Sequence, residues 1–194
     1  MSDSRKIVLA SSSPRRRELL SLTGLTFTVE ASDYEEVLVP GVDPRLLARR
    51  LSCKKAKAVA KKYRNALIIA ADTFIVFGDI LLGKPSSKED AMRMLGLLNG
   101  QSHSVITGFT IIDTASRKTL SRSVETKVWF RKLTKQELAS YVKAGEPLDK
   151  AGAYAIQGLG SLIIDRIEGD YFNVIGLPLS SLVEALKKFG VHVL

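Results

Sequence analysis

Three arginines follow a run of serines near the start of the chain, in the segment Ser11–Arg17. The apolar run Ile7–Ala10 before them predicts a buried strand, and Ser13 followed by Pro14 is typical of a helix start. A helix N-terminus exposes backbone N–H groups and the positive end of the helix dipole, so arginines there disfavour the helix unless an anion binds. The pattern therefore indicates a phosphate site, and a solvated basic turn is the alternative.

A carboxylate follows the longest apolar run of the chain. Residues Ala66–Ala71 predict a buried strand with Asp72 at its carboxyl end, where ligands of open α/β sheets gather. A carboxylate there can hold a divalent metal ion or orient a water molecule. A turn or helix-cap carboxylate is the alternative, although no helical pattern follows directly. Glu35 and Glu36 lie in an acidic patch of this basic chain, and with Asp72 they are the best metal-ligand candidates.

Three further polar residues could contact an anion or a nucleotide base. Lys84 precedes a predicted helix and could reach a phosphate, although a surface lysine would give the same pattern. Lys55 lies on the Leu51–Val59 stripe of another predicted helix, where it points at an anion or extends to solvent. Gln157 lies in the Gly- and Pro-containing run Glu146–Gly160, and its amide both donates and accepts hydrogen bonds, which suits a base edge. A long turn whose glycines serve only the backbone is the alternative for that run.

The residue types that are missing narrow the chemistry. His103 and His192 are far apart in the sequence, and Cys53 is the single cysteine, which excludes an intrachain disulfide and gives no zinc-ligand spacing. The sequence contains neither a GxxxxGK[ST] loop nor a GxGxxG motif. The remaining groups are oxygen ligands, arginines and lysines, which bind hard cations and polyphosphates.

The overall charge agrees with an anionic small-molecule ligand. The 194 residues carry a formal net charge of +9, and the 45% hydrophobic content is that of an ordinary globular protein. The chain has one tryptophan and no basic run interleaved with aromatic residues, which argues against a nucleic-acid-binding module. The first apolar run is too short for a signal peptide or a membrane span, so we expect a cytoplasmic protein with no membrane contact.

The predicted elements that must position these residues alternate between helix and strand in the first half of the chain. Helices are predicted after Ser13-Pro14, after Asp43-Pro44 to about residue 62, after the capping boxes Ser86–Glu89 and Thr134–Glu137, and over about 179–186. Strands are predicted at 7–10, 27–30, 66–72, 73–77, 80–82, 105–112, 120–130 and 161–167. This order predicts an α/β fold with a mixed β-sheet and flanking helices, in which about residues 30–130 could form a lobe.

Five segments, in order across nearly the whole chain, resemble the Maf family of nucleoside triphosphate pyrophosphatases. They are LASSSPRRRELL, AADT, LLGKP, EPLDKAGAYAIQGLG and NVIGLPL. The resemblance implies a single Maf-like domain over residues 1–194, elongated and two-lobed, similar to the inosine triphosphate pyrophosphatases. It also implies hydrolysis of a nucleoside triphosphate to the monophosphate and pyrophosphate, and a homodimer.

The resemblance assigns catalytic roles to individual residues. Asp72 matches the family's proposed proton acceptor, and Ser13 with Arg16 matches its serine-to-arginine signature. The resemblance implies a divalent cation, and we expect Mg²⁺ or Mn²⁺ held by Asp72 and Glu36. Because a nearby cation stabilises a charged carboxylate, we expect Asp72 to orient a water rather than to act as a strong free base.

Other matching positions concern the substrate. Thr73 and Gln157, like Arg16, match positions linked to substrate choice, and Lys55 and Lys84 match polar positions of the cleft. An Ile-Gln-Gly segment after the DKAG loop marks the branch that acts on dTTP, UTP and related pyrimidine nucleotides. The alternative is a nucleotide- or nucleic-acid-binding regulator of cell division without relevant catalysis, since the family's name is tied to septum inhibition.

Overall fold

The computed structural model describes residues 5–34 and 41–194. Its strands are β1 (Lys6–Leu9), β2 (Thr28–Val29), β3 (Ala66–Phe77), β4 (Ile80–Leu82), β5 (Ser102–Asp113), β6 (Thr119–Phe130) and β7 (Ile164–Glu168). Its α-helices are α1 (Pro14–Ser21), α2 (Pro44–Ala60), α3 (Lys88–Leu98), α4 (Lys135–Lys143), α5 (Tyr171–Ile175) and α6 (Leu179–Lys187). Among the helices of the described ranges, none is long and apolar enough to span a membrane.

A mixed sheet organises the fold, as the sequence predicts. The strand order is β2-β1-β3-β5-β6-β7, and β4 pairs with β3 outside this path. β1 runs parallel to β2 and β3, whereas β4 is antiparallel to β3 and β7 is antiparallel to β6. Parallel and antiparallel pairs in one sheet with helices between the strands define a mixed α/β fold.

The chain divides into two compact units that are interleaved in sequence. The first unit takes Met1–Asp72, Thr107–Val124 and Gly176–Leu194, and the second takes Thr73–Ile106 and Glu125–Ile175. Neither unit coincides with a lobe over about residues 30–130. Strands β3, β5 and β6 each contribute residues to both units, so the division crosses these strands and does not follow one stretch of sequence.

The core of the first unit lies between α2 and strands β1 and β3. It contains Val8, Ala10, Ala56, Val59, Ala66, Ile68, Ala70 and Ile112, all buried. Gly108 of β5 allows α2 to approach closely, because a Cβ there would lie 2.2 Å from the carbonyl carbon of Ala48. This close approach keeps α2 against the sheet, and α2 carries Lys55.

The core of the second unit packs α3 and α4 against its own parts of β3, β5 and β6. The apolar face of α3, predicted from its spacing, is buried and consists of Ala91, Met94, Leu95 and Leu98. His103, Phe130 and Tyr154 form an aromatic cluster whose rings meet edge to face, with centroids 4.7–5.2 Å apart. This arrangement is the favoured geometry for aromatic rings in a core.

Most helix starts follow their capping residues. Ser13 and Asp43 cap α1 and α2, each followed by proline, and Thr134 and Glu137 form the predicted capping box of α4. The capping box predicted at Ser86–Glu89 is wrong by one residue. Ser87 caps α3 by accepting the Asp90 N–H at 3.1 Å, and the Asp90 carboxylate accepts from the Ser86 N–H at 3.0 Å. A carboxylate at 90 therefore takes the reciprocal role that we expected of residue 89.

The predicted strands 66–72 and 73–77 form one continuous strand, so the prediction that a strand ends at Asp72 is wrong. Asp72 lies inside β3, which continues to Phe77 because its last residues pair with β4 around a turn at Gly78, whose φ is +56°. The length of a strand depends on its partners, which the apolar run alone does not reveal. The predicted strand at 161–167 likewise begins only at Ile164, and the short helix α5 was not predicted.

Candidate active site

Asp72 and Lys55 form a buried ion pair in the first unit. The Lys55 Nζ atom lies 3.0 Å from Asp72 Oδ1, and the two side chains are 12% and 7% exposed, respectively. Lys55 reaches Asp72 from the inner face of α2. Of the two orientations predicted for this lysine, inward toward an anion or outward to solvent, the inward one is therefore correct, and the anion is the Asp72 carboxylate. Burying two charges is costly unless they are paired, so the pairing accounts for their burial, and the position of the pair in the sheet makes it a candidate for chemistry.

The strand register places this pair beyond the end of β1. The last β1 residue, Leu9, pairs with Ile69, and β1 and β3 run in the same direction. Asp72 is three residues past Ile69, which is about 10 Å further along the strand. Asp72 therefore lies on the side toward which the chain leaves β1 to form α1. Asp72 thus lies beyond the carboxyl end of β1 but not at the carboxyl end of β3, where we expected it.

The α1 helix start is ordered by its serines. Ser13 Oγ accepts the Arg16 N–H at 3.4 Å, and Ser11 Oγ accepts the Ser13 N–H at 3.2 Å. The first turn of α1 contains no acidic residue. The positive end of the helix dipole therefore coincides with the basic residues of this turn, an arrangement that favours a bound anion.

Arg16 is oriented by a residue from the other end of the sequence. Its Nε–H donates to the carbonyl oxygen of Gly176 at 2.9 Å. Gly176 has a φ of +125°, which only glycine adopts without strain, and it belongs to the NVIGLPL segment. Sequence reasoning missed this role, because the interaction joins residues 160 positions apart. The glycine in that segment is the signal that could have found it.

The second unit brings three other sequence segments together. The Gly152 N–H donates to the carbonyl oxygen of Gly83 at 2.9 Å, so the residue before Lys84 contacts the KAG segment. Gly152 has a φ of +65°, and a Cβ there would lie 2.7 Å from the Ile75 Cδ1 atom of β3. Thr73, two residues before Ile75, is partly buried, whereas Lys84 is exposed. The LLGKP and DKAG segments thus contact each other within this unit, and DKAG packs against β3 at Ile75.

Gln157 lies on an exposed part of the predicted loop. Three short 3-10 turns, Glu146–Asp149, Ala151–Ala153 and Gly158–Leu162, shape the loop, and Gln157 precedes the third. Its side chain is exposed, whereas Tyr154 and Gly160 on either side are buried. The loop is a defined structure and not a linker, as the sequence predicts. The contacts that Glu146 and Tyr141 make with later residues of this loop were not predicted from the sequence.

The described carboxylates can be compared with the donor set of a site for Mg²⁺ or Mn²⁺. In the ranges 5–34 and 41–194, no group of three or more His, Cys, Asp and Glu side chains is placed to hold a metal ion. Magnesium sites at phosphates use one or two carboxylates and take their other ligands from the substrate and water. The buried carboxylate of Asp72 fits such a site. The second predicted ligand, Glu36, lies outside the described residues.

The fold defines a class of proteins before any function is assigned. The structure of the Staphylococcus aureus Ham1 protein superposes with a TM-score of 0.52 and covers 96% of this chain and 100% of its own, at 14% sequence identity. The similarity confirms the expected fold class. The chain itself belongs to the Maf family: the family described as Maf-like protein matches residues 6–189.

Curated relatives match almost end to end. A protein from Methanosarcina barkeri is 50% identical over 190 residues, which are 97% of this chain and 96% of that protein. A protein from Thermoanaerobacter sp. strain X514 is 51% identical over 191 residues, covering 97% of this chain and all of that protein. Both relatives carry the name dTTP/UTP pyrophosphatase.

Proposed function

We propose that this protein hydrolyses dTTP and UTP to the nucleoside monophosphates and pyrophosphate, and so removes these or modified pyrimidine nucleotides from the cellular pool. The observation that carries the proposal is the buried Asp72–Lys55 pair, in a family whose similar members are named dTTP/UTP pyrophosphatases. A hydrolase of this kind needs a carboxylate to direct water and cations to hold a polyphosphate, and the first unit contains both.

The triphosphate is held by cations and backbone N–H groups in this proposal. Arg16 presents its guanidinium at the start of α1 while its Nε is fixed by Gly176, which leaves the planar group directed and not freely rotating. The first-turn N–H groups of α1 add the positive end of the helix dipole. Lys55 and Lys84 contribute two further charges, the first from a buried position and the second from an exposed one.

Asp72 orients the attacking water in this proposal. The ammonium of Lys55 offsets the charge of the buried carboxylate, and the interior position of Asp72 in β3 fixes its direction. Water attacks the α-phosphorus, the bond to the bridging oxygen breaks, and pyrophosphate leaves. Positioning and electrostatic stabilisation supply most of the rate enhancement in phosphoryl transfer of this kind.

A divalent cation, Mg²⁺ or Mn²⁺, is part of the proposal. Asp72 and Glu36 would hold it, and when bound it would offset the negative charge of the phosphates. The oxygen chemistry of Asp72 supports this assignment.

Thr73 and Gln157 select the base in this proposal. The exposed amide of Gln157 offers a donor and an acceptor, which match the carbonyl and N–H groups on the edge of uracil or thymine. We further propose a cytoplasmic homodimer that acts on free nucleotides and not on nucleic acid.

A panel of nucleoside triphosphates tests the proposal. The purified protein is incubated with dTTP, UTP, CTP, GTP and modified pyrimidine nucleotides, each with Mg²⁺ or Mn²⁺, and pyrophosphate, phosphate and monophosphate are quantified. We expect equal amounts of pyrophosphate and monophosphate, with dTTP and UTP as the best substrates among the canonical nucleotides. Release of inorganic phosphate, or no hydrolysis of any nucleotide, would contradict the proposal. Duplex DNA binding without hydrolysis would favour the regulator of cell division instead.

A further inference from the structure

We propose that Glu146 and Tyr141 form a clamp that fixes the loop Tyr154–Gly160 and thereby positions Gln157 for base selection. Both are positioning residues, since their contacts are to the loop and to each other. The inference rests on the proposed function, because Gln157 is there assigned to the nucleotide base. All residues of the clamp belong to the second unit.

The carboxylate of Glu146 accepts three hydrogen bonds. Oε1 accepts from the Tyr141 hydroxyl at 2.9 Å and from the Gly160 N–H at 3.0 Å, and Oε2 accepts from the Leu159 N–H at 3.0 Å. Hydrogen bonds to an ionised acceptor are stronger than those between neutral groups. Glu146 therefore ties down the two residues that lie two and three positions after Gln157.

Tyr141 extends the clamp to the other side of Gln157. Its hydroxyl donates to Glu146 and also accepts the N–H of Ala155 at 3.2 Å. The tyrosine is a buried residue of α4, so its ring is fixed by the core of the unit. Backbone N–H groups before and after Gln157 thus share one connected set of hydrogen bonds.

The glycines of the loop show how tightly the clamp fits. A Cβ at Gly160 would lie 1.9 Å from the carbonyl oxygen of Ala155 and 2.7 Å from the Tyr141 hydroxyl. A Cβ at Gly158, where φ is +65°, would lie 2.5 Å from Glu146 Oε2. The glycine spacing of the IQGLG segment is therefore a requirement of the clamp and not only of the turn.

A second anchor holds the start of the loop. The Tyr154 hydroxyl lies 2.7 Å from His103 Nε2, and its ring packs edge to face on Phe130. Tyr154 is 4% exposed, whereas Gln157 is exposed to solvent. Because the backbone on either side of Gln157 is held in place, its amide loses less conformational freedom when a base binds. The amide is also presented in one position, so it favours the base whose edge matches it.

The test uses two conservative variants of the clamp. Glu146→Gln keeps the side-chain size but turns one acceptor into an NH₂ group that faces a backbone donor, and Tyr141→Phe keeps the ring but removes the bridging hydroxyl. The matched control is Glu184→Gln, whose exposed carboxylate pairs with Lys187 at 2.7 Å on α6. The full-length variants are compared with Gln157→Ala and with the double variant Glu146→Gln/Gln157→Ala.

Two readouts separate loop order from nucleotide selection. Amide hydrogen exchange, residue by residue, reports the order of Ala155, Leu159 and Gly160, with α3 as an internal reference. Dissociation constants for the α,β-methylene analogues of dTTP and GTP report binding without hydrolysis, and steady-state kinetics separates KM from kcat.

We expect both clamp variants to speed exchange at Ala155, Leu159 and Gly160 by about 10-fold or more, while α3 is unchanged. The dissociation constant for the dTTP analogue rises by about 10-fold, the preference over the GTP analogue shrinks, and the kinetic effect falls on KM more than on kcat. The double variant is no weaker than Gln157→Ala alone, because both changes remove the same contact. Glu184→Gln behaves as wild type.

Several results would overturn the inference. Faster exchange with unchanged selectivity would give the clamp a purely structural role, and additive effects in the double variant would remove Gln157 from the argument. A wild-type protein that binds neither analogue would also overturn it. A wild-type protein that binds the dTTP analogue selectively but releases no pyrophosphate would overturn the proposed function alone.

Discussion

Asp72 and Asp113 are two buried carboxylates of the same unit, and each lies 3.0 Å from a cation. Asp72 pairs with Lys55 and Asp113 pairs with Arg5, with side chains that are 7% and 10% exposed for the two aspartates. Burial and ion-pair distance therefore do not distinguish them. Their surroundings do.

Asp113 stabilises the turn that follows β5. It is the last residue of β5, and its Oδ1 accepts the N–H groups of Ala115 and Ser116 in the following turn. Its partner Arg5 also donates to the carbonyl oxygen of Phe189, near the end of the chain. Burial raises the pKa of Asp113, but the hydrogen bonds from Ser116 and Ala115, together with the charge of Arg5, outweigh burial and lower it. This carboxylate holds a turn and two chain ends in place.

Asp72 occupies a different position in the sheet. It lies within β3, past the last residue pair that β3 makes with β1, and its cation comes from a helix that packs on the sheet. The basic start of α1 follows the end of the same β1 strand. We therefore interpret the Asp72 pair as a candidate for chemistry, because it lies past the end of β1 on the side that leads to α1, and the Asp113 pair as structural, because its carboxylate accepts the N–H groups of a turn.

Replacing the two aspartates gives the largest contrast. Asp72→Asn keeps the side-chain shape but removes the charge that orients water, so kcat for dTTP falls by about 10³-fold. The amide oxygen can still accept from Lys55, but the buried ammonium loses its charge partner, so we also expect a loss in the free energy of unfolding. Turnover of the purified variant, normalised to its folded fraction by circular dichroism, measures the effect.

The matched control is Asp113→Asn. We expect a loss of about 2 kcal/mol in the free energy of unfolding, because charge-assisted hydrogen bonds are lost, with turnover within about 3-fold of wild type. Urea denaturation and the same turnover assay test this expectation. Equal losses of turnover in both variants would remove the distinction between the two carboxylates.

The pH dependence of stability distinguishes the buried imidazole of His103 from the buried carboxylate of Asp113. Burial lowers the pKa of His103 to about 4, compared with 6.5 in the unfolded chain. Because the unfolded state then binds the extra proton first, His103 lowers stability as pH falls from 6.5 to 4, by up to about 3 kcal/mol. The lowered pKa of Asp113 acts only below its unfolded value of 3.8, where protonation removes stability.

Urea denaturation between pH 7 and pH 4 measures this dependence. His103→Phe fills the aromatic site without a titrating group, so the slope between pH 6.5 and pH 4 becomes flatter. His192→Phe is the matched control, because His192 is exposed and its replacement leaves the slope as in wild type. An unchanged slope in His103→Phe would show that carboxylates alone set acid stability.

The smallest expected effect is the loss of a helix cap, which serves as a reference for a change in stability that leaves turnover intact. Thr134→Ala removes the hydroxyl that accepts the Glu137 N–H at 3.2 Å in the capping box of α4. Losing such a cap costs about 1 kcal/mol in the free energy of unfolding, without loss of turnover. A loss of turnover as large as that of Asp72→Asn would mean that the turnover assay reports stability and not chemistry.

Local patterns in the sequence predict local structure well. Ser13-Pro14 and Asp43-Pro44 begin helices because the cap and the proline act within one turn. The shifted cap at Ser87 shows the limit of such rules, since Glu89 and Asp90 are both acidic and only geometry selects between them. The predicted strands 73–77 and 80–82 are confirmed by the pairing of β3 with β4, whereas the continuity of 66–72 with 73–77 was not predicted.

Contacts between distant segments could not be predicted from spacing. The sequence indicated Asp72, Lys55 and Arg16 as candidates by residue type, but not that Lys55 would pair with Asp72. The Gly176 carbonyl that orients Arg16 is a backbone group, so its only trace in the sequence is the glycine itself, and that residue type does not name Arg16 as the partner. Glu146 was visible only as the first residue of a segment, because its three donors are assembled by the folded loop.

Hydrolysis in ¹⁸O-labelled water tests the central claim most directly. The dTTP is converted in the presence of Mg²⁺ or Mn²⁺, and the products are analysed by mass spectrometry. If the water directed by Asp72 attacks the α-phosphorus, one ¹⁸O atom enters the thymidine monophosphate and none enters the pyrophosphate, and Asp72→Asn forms neither product at a comparable rate. Label in the pyrophosphate, or labelled monophosphate formed at the wild-type rate by Asp72→Asn, would contradict the account.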